Sequence, residues 1–254
     1  MKLYTLGTSH GAAEPDRMCS AHLVECGGRY YLFDCGGSVE SALVNMDIPV
    51  TSLEAIFISH LHEDHVGGIT GVLKRFYAYN PDKNYCPAYL PGEYFASALR
   101  NWISVLCPFR FNPDENRLML EYYDCAPIFS YEDDFVFDDG NIRVSAIRTE
   151  HLAWYQTPTY AFLIEGEGKK LLYTSDLAVD FHDYPEIALT EELDLVLCEM
   201  VHFDLAANFE TISKTNTKHL IFTHYRENKL EDIGDDYEFP FPVDVATDGD
   251  AFEV

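Results

Sequence analysis

Three imidazoles and the Asp64 carboxylate fall within the six residues His60-Leu61-His62-Glu63-Asp64-His65, directly after the apolar run Ile56-Phe57-Ile58-Ser59 and just before Gly67-Gly68. A strand ending at Ser59 would carry His60 and His62 onto one side of an extended backbone, because alternate side chains share a face. Asp64 and His65 would follow at the turn. Borderline-soft divalent ions favour imidazole nitrogen with some carboxylate oxygen, and four donors this close can serve two adjacent ions. The alternative is a solvated His-rich loop, which gains no stability from clustering so scarce a residue. Four donors cannot complete two coordination shells, so the fold has to bring further ligands to this point from elsewhere in the chain.

Three candidates stand where apolar runs stop. His151 follows the alternating run Ile142-Arg143-Val144-Ser145-Ala146-Ile147, Asp176 ends Leu171-Leu172-Tyr173-Thr174-Ser175, and His224 ends Leu220-Ile221-Phe222-Thr223. Strand ends on a rigid scaffold are the usual place for site residues.

With the order His60, His62, Asp64, His65, His151, Asp176, His224, the chain resembles the metallo-β-lactamase superfamily, whose members carry an H-x-H-x-D-H motif and later His, Asp and His ligands. Leu6-Gly7-Thr8-Ser9, Leu32-Phe33-Asp34-Cys35-Gly36, Ile58-Ser59-His60-Leu61-His62 and Phe222-Thr223-His224 look more particularly like the ribonuclease Z and cyclic phosphodiesterase branch. The resemblance implies an α/β fold of αββα type, two packed mixed β-sheets flanked by helices. It also implies two divalent metal ions, zinc first, with manganese and iron acceptable to the same donors. Asp176 and a hydroxide would bridge them, with His60, His62 and His151 on one ion and Asp64, His65 and His224 on the other, and Asp64 would thereby belong to the catalytic set. His202 matches, by order and spacing, a non-ligand histidine of that branch that could donate a proton to a leaving oxygen or hold a phosphoryl oxygen. A half-buried histidine beside Glu199 is its plainer reading, and His10, His22, His182 and His219 receive that plainer reading too. His10 is the least secure of these, since Gly7-Thr8-Ser9-His10-Gly11 is a loop that could face the metals.

Length and composition fit one metallo-hydrolase domain over residues 1–254, large enough to bury a substantial core at 47% hydrophobic content. No window approaches the roughly 18 consecutive apolar residues of a membrane span, and Met1–Gly7 is too short and polar for a signal peptide, so a cytoplasmic protein with no membrane contact is expected. The seven cysteines are odd in number and form no C-x-x-C pair, so they are expected reduced and mostly packed. A formal charge of −26, from 17 basic against 43 acidic residues, argues against a long nucleic acid, whose affinity comes largely from Lys and Arg. The acidic runs Glu132-Asp133-Asp134, Asp138-Asp139, Glu231-Asp232 and Asp235-Asp236 read as solvated loops.

Ala21–Cys26, Gly27-Gly28 and Arg29–Asp34 read as a hairpin turned on glycine. Tyr160–Glu165, Gly166-Glu167-Gly168 and Lys169–Asp176 repeat that pattern, which points to two related halves with ligands drawn from both. Apolar spacings of three and four predict helices at about Ser38–Asp47, Gly68–Tyr79, Tyr94–Leu106 and Asp204–Lys214. Gly67-Gly68 is expected to let the backbone come close to the metals. Asp34 is expected either to orient a metal histidine through its ring N–H or to shape a turn. Aromatics crowd residues 77 to 135, among them Tyr89, Tyr94, Phe95, Trp102, Tyr122 and Tyr123, and are expected mostly in the core; Trp154 and Tyr155 could wall a substrate pocket.

The substrate expectation is a small-molecule phosphodiester, a cyclic phosphate or nucleotide-like ester. The short interval from His151 to Asp176 leaves no room for the long arm that tRNA-processing members of the family place there. Thioester or lactone hydrolysis, an RNA-processing nuclease without that arm, and a metal-binding module without catalysis are the alternatives. A homodimer is one expectation for assembly.

Overall fold

Most central strands are apolar on both faces, which demands cover on both sides of each sheet. The computed structural model, which describes residues 1–12, 14–79, 86–106, 110–112, 117–119, 128–229 and 237–254, meets that demand with two seven-stranded sheets. The first runs in the order Ala251–Glu253, Lys2–Gly7, Ala21–Cys26, Arg29–Phe33, Leu53–Phe57, Ala88–Pro91, Ile128–Tyr131. The second runs Val136–Asp138, Arg143–Thr149, Thr159–Gly166, Lys169–Tyr173, Leu195–Glu199, Leu220–Thr223, Val243–Val245. In each, the first four strands pair antiparallel and the last four parallel, so the halves repeat one topology as the two hairpins imply.

Period-2 alternation sorts the side chains. Val24, Tyr31, Phe33, Ala55 and Phe57 of the first sheet meet Val144, Phe162, Ile164, Leu171, Leu197 and Ile221 of the second in one buried layer. Phe57 is the hub of this layer, stacking on Phe33 at 5.1 Å and Tyr89 at 5.3 Å between ring centroids. The intervening residues Leu23, Leu32 and Ile56 face the helices Val39–Asn45, Ile69–Tyr79 and Glu93–Leu106 through Leu43, Val72, Leu73 and Ile103. Leu172, Val196, Cys198, Leu220 and Phe222 face Leu205 and Ile212 of the helix Leu205–Ile212. The result is the αββα sandwich. All four expected helices form within a residue or two of their predicted ends, and Asp204 caps the last by accepting from Ala207 N–H.

Both hairpins turn on two consecutive positive φ values, Gly27 (56°) with Gly28 (75°) and Glu167 (52°) with Gly168 (73°), the signature of a type I′ turn. Gly67-Gly68 serves a different purpose from the expected one. A Cβ on Gly68 would lie 2.3 Å from the Gly36 carbonyl oxygen, so the close approach is between the turn ahead of the helix Ile69–Tyr79 and the Cys35-Gly36 backbone rather than toward the metals. Tyr94 and Trp102 also depart from expectation. They sit on the solvent face of their helix, 80% and 56% exposed. Cys19, Cys26, Cys35 and Cys198 are free thiols. Tyr122, Tyr123, Cys107, Cys125, Glu231-Asp232 and Asp235-Asp236 lie outside the described residues. Among the described residues no helix is long and apolar enough to cross a membrane.

Candidate metal centre

The parallel strands of both sheets end at one rim, and the residues just beyond those ends converge there. Asp34 follows Arg29–Phe33, Ser59 and His60 follow Leu53–Phe57, Asp176 follows Lys169–Tyr173, His202 follows Leu195–Glu199, and His224 follows Leu220–Thr223. Asp34, Ser175 and His224 hold φ of 57°, 51° and 49°, left-handed values uncommon for residues with a Cβ. Such strain persists where surrounding structure fixes it, and here it turns the chain so that side chains point inward at the rim.

Asp176 lies at the centre. Its Oδ2 is 3.4 Å from His60 Nε2 and 3.6 Å from His151 Nε2, while its Oδ1 is 3.2 Å from His65 Nε2 and 3.4 Å from His224 Nε2. His62 Nδ1 closes the first group, 3.1 Å from His60 Nε2 and 3.4 Å from His151 Nε2. Asp64 Oδ2 closes the second, 3.4 Å from His65 Nε2 and 3.8 Å from His224 Nε2. All seven predicted ligand residues therefore meet, with the donors of His60, His62, His151 and Asp176 in one group, those of Asp64, His65 and His224 in another, and those of Asp176, His202 and His224 in a third. Ligands about 2.0–2.2 Å from a tetrahedral zinc lie about 3.3–3.6 Å from each other, which matches this spacing. His65 Nε2 and Asp176 Oδ1 are buried and, despite their proximity, make no hydrogen bond, as atoms aimed at a common third point would. The donor set fits divalent metal ions.

The surrounding hydrogen bonds fix which ring nitrogens are free. His65 Nδ1–H donates to Asp34 Oδ2 at 2.7 Å, and His151 Nδ1–H donates to the Leu177 carbonyl at 3.1 Å. Ser59 Oγ donates to Asp34 Oδ2 at 2.9 Å, so its contact of 3.0 Å with His60 Nδ1 is one in which the ring N–H donates. In its neutral form each of these rings would thus turn an Nε2 lone pair inward, as a metal ligand must. Asp34 also accepts from Ser59 N–H and from the phenol of Tyr173 at 2.6 Å, partners distant in the chain, so of its two expected roles these contacts favour the acceptor for a histidine ring N–H.

In the metal-free protein these groups titrate as one strongly interacting cluster. Burial opposes charge on Asp176, but His224, His65 and His60 hold its carboxyl well below the usual carboxylate range. Burial likewise opposes charge on His65, yet Asp176 and Asp34 keep it protonated far above an ordinary histidine. Burial wins at His224, pulling it down to about 4.

His202 is not among the seven, yet it lies against them, its ring centroid 4.3 Å from that of His151 and its Nδ1 3.9 Å from Asp176 Oδ2. Buried Glu199 accepts from the His202 ring at 3.1 Å and from its backbone N–H at 3.0 Å. Burial acts to lower the His202 pKa, but Asp176 and Glu199 outweigh it and bring it to about 9.

A cleft of about 510 Å³ opens over the cluster, lined by His62, Glu63, Asp64, Asp176, His202 and His224 together with His10 and Arg226. His10 lines the cleft, in keeping with a loop able to face the metals, and it pairs with Glu14 at 3.3 Å. Glu199, Tyr173 and Arg226 carried no sequence signal of their own. His182 and His219 do pair with nearby acids away from the cleft. Trp154, 96% exposed, lines a neighbouring cleft with His151, Ala178 and Val179.

Fold and cluster together define a metal-dependent hydrolase of the metallo-β-lactamase fold. The chain superposes on YhfI, a metallo-β-lactamase fold protein from Bacillus subtilis, with a TM-score of 0.76 at 19% identity over 99% of both chains. A family model described as "Anti-Pycsar protein Apyc1" matches residues 1–243, and the chain belongs to that family. It is 26% identical over 222 residues to the Anti-Pycsar protein Apyc1 of Paenibacillus xerothermodurans, covering 84% of this chain and 83% of that protein. It is 24% identical over 274 residues to a ribonuclease Z of Crocosphaera subtropica, covering 89% and 86%.

Proposed function

We propose that the chain is a two-metal phosphodiesterase acting on a small phosphodiester, a cyclic phosphate or nucleotide-like ester. The observation that carries this reading is the division of Asp176, one carboxylate oxygen facing His60 and His151 and the other facing His65 and His224. His60, His62, His151 and Asp176 would hold one ion, and Asp64, His65, His224 and Asp176 the other, zinc first by donor chemistry. Bound there, a pair of divalent ions supplies a nucleophile from water at neutral pH and neutralises phosphoryl charge.

The remaining work falls to the protein. His202 has its Nδ1–H engaged by Glu199, which leaves Nε2 to face the cleft and donate to the leaving oxygen. The Glu199 carboxylate stabilises the protonated ring that this step requires. Similarity to ribonuclease Z supports RNA processing as the second reading, and a charge of −26 weighs against it.

The test is a panel of aryl phosphodiesters, cyclic nucleotides, thioesters and lactones given to metal-loaded protein. Phosphodiester turnover that Asp176→Ala abolishes is the expected result. A preference for thioesters would overturn the reading.

A further inference from the structure

Arg226 is a cation without an acid in a chain that carries 43 acidic residues and 17 basic ones. Its side chain lines the cleft with His62, Asp64, Asp176, His202 and His224 and has no hydrogen-bond or ion-pair partner among the described residues. Its backbone, by contrast, is held on both sides. The preceding Tyr225 is 2% exposed; its N–H donates to the Thr8 carbonyl at 3.3 Å and its phenol to the Ala246 carbonyl at 3.1 Å. Arg17 donates to the Tyr225 carbonyl at 2.9 Å and lies over the Tyr225 ring at 3.9 Å. On the other side, Lys229 N–H donates to the Arg226 carbonyl at 2.8 Å. A parallel bridge between Ser9 and Tyr225 brings the next residue of each segment, His10 and Arg226, to the same mouth of the cleft.

The held backbone fixes where the exposed guanidinium starts from, at the mouth of the cleft, so that only the side chain remains to be ordered on binding. We propose that Arg226 is a specificity-determining residue whose guanidinium engages a non-bridging phosphoryl oxygen of the substrate, selecting phosphate esters over neutral carbonyl esters. This rests on the phosphodiesterase reading. The physical reason is that a planar guanidinium makes charge-assisted, bidentate contacts with phosphate oxygens, which a neutral ester cannot return. The surrounding acids make one unpaired cation at the mouth more valuable for an anionic substrate, since it offsets their repulsion locally.

The experiment compares wild type, Arg226→Met and Arg226→Lys, each loaded with zinc and checked for equal metal content. Inorganic phosphate binding is measured by calorimetry, and kinetics are measured on bis(p-nitrophenyl) phosphate and on a neutral thioester. Arg226→Met is expected to weaken phosphate binding about tenfold and to lower the diester-to-thioester ratio of kcat/KM by a similar factor, mainly through KM for the diester, with Arg226→Lys recovering part of both. Unchanged phosphate affinity in Arg226→Met would overturn the proposal. Absence of diester turnover in wild type would instead sink the phosphodiesterase reading, and the phosphate-binding arm would still decide the role of Arg226.

Discussion

Asp34→Asn isolates what the residues behind the metal centre contribute without touching a ligand. Asp34 is fully buried, and four donors converge on its carboxylate. His65 Nδ1 at 2.7 Å, Tyr173 Oη at 2.6 Å and Ser59 Oγ at 2.9 Å meet Oδ2, and Ser59 N–H meets Oδ1 at 2.8 Å. Asparagine keeps the shape but has one acceptor oxygen. Turned either way, its NH₂ faces a donor, and the charge that sharpens the His65 lone pair is gone. Loss of such an outer hydrogen bond typically costs 10–100-fold in metal affinity, or about 1.4–2.8 kcal/mol. The assay is competition for Zn2+ against a chromophoric chelator, with thermal melting of the metal-free protein run alongside. Should Asp34→Asn not fold, Tyr173→Phe removes one donor from the same carboxylate and should give a smaller loss in the same direction. Affinity within threefold of wild type in a folded Asp34→Asn would refute the reasoning.

Three further outcomes follow from single contacts. His202→Ala should lower kcat on phosphodiesters by about 10²–10⁴-fold while changing thioester hydrolysis far less, as read from steady-state rates on both; an equal loss on both substrates would make His202 structural. His22 is buried, neither ring nitrogen has a partner, and burial pulls its pKa down to about 3. Between pH 6.5 and 3 the unfolded chain therefore binds a proton that the folded chain refuses. Stability falls as pH drops through that window, with a slope of up to about 1.4 kcal/mol per pH unit from this site. His22→Phe should flatten urea-denaturation stability of the metal-free protein between pH 7 and 5, and parallel curves for the two proteins would count against it. Gly68→Ala would place a methyl against the Gly36 carbonyl and 3.0 Å from Val39 Cγ1. It should cost about 1–3 kcal/mol, seen as a lower urea midpoint, and an unchanged midpoint would show that the backbones yield there.

The parts of this molecule that were readable in its sequence are those whose signals are local. The motif His60–His65 points to a metal site because a solvated loop gains nothing from clustering so scarce a residue, and Asp176 and His224 stand out because each ends an apolar run. The repeated hairpins predicted the duplicated sheet topology through their glycine turns. What escaped depends on partners distant in the chain. The phenol of Tyr173 is part of an apolar strand, and its acceptor Asp34 belongs to the other sheet. Arg226 and His10 reach the cleft through the Ser9–Tyr225 bridge, a pairing that no periodicity announces. Tyr94 and Trp102 misled for the opposite reason. An aromatic on an amphipathic helix has no local mark of which side it takes once the helix edge is crowded with them.

If Asp176 joins two ions, zinc stoichiometry will show it. Chelator-stripped protein is reconstituted with excess Zn2+, desalted and analysed for elemental zinc per chain, in wild type and in Asp176→Ala. Wild type should hold two equivalents and the variant fewer than two. One equivalent in wild type, or two held with undiminished affinity by Asp176→Ala, would contradict it.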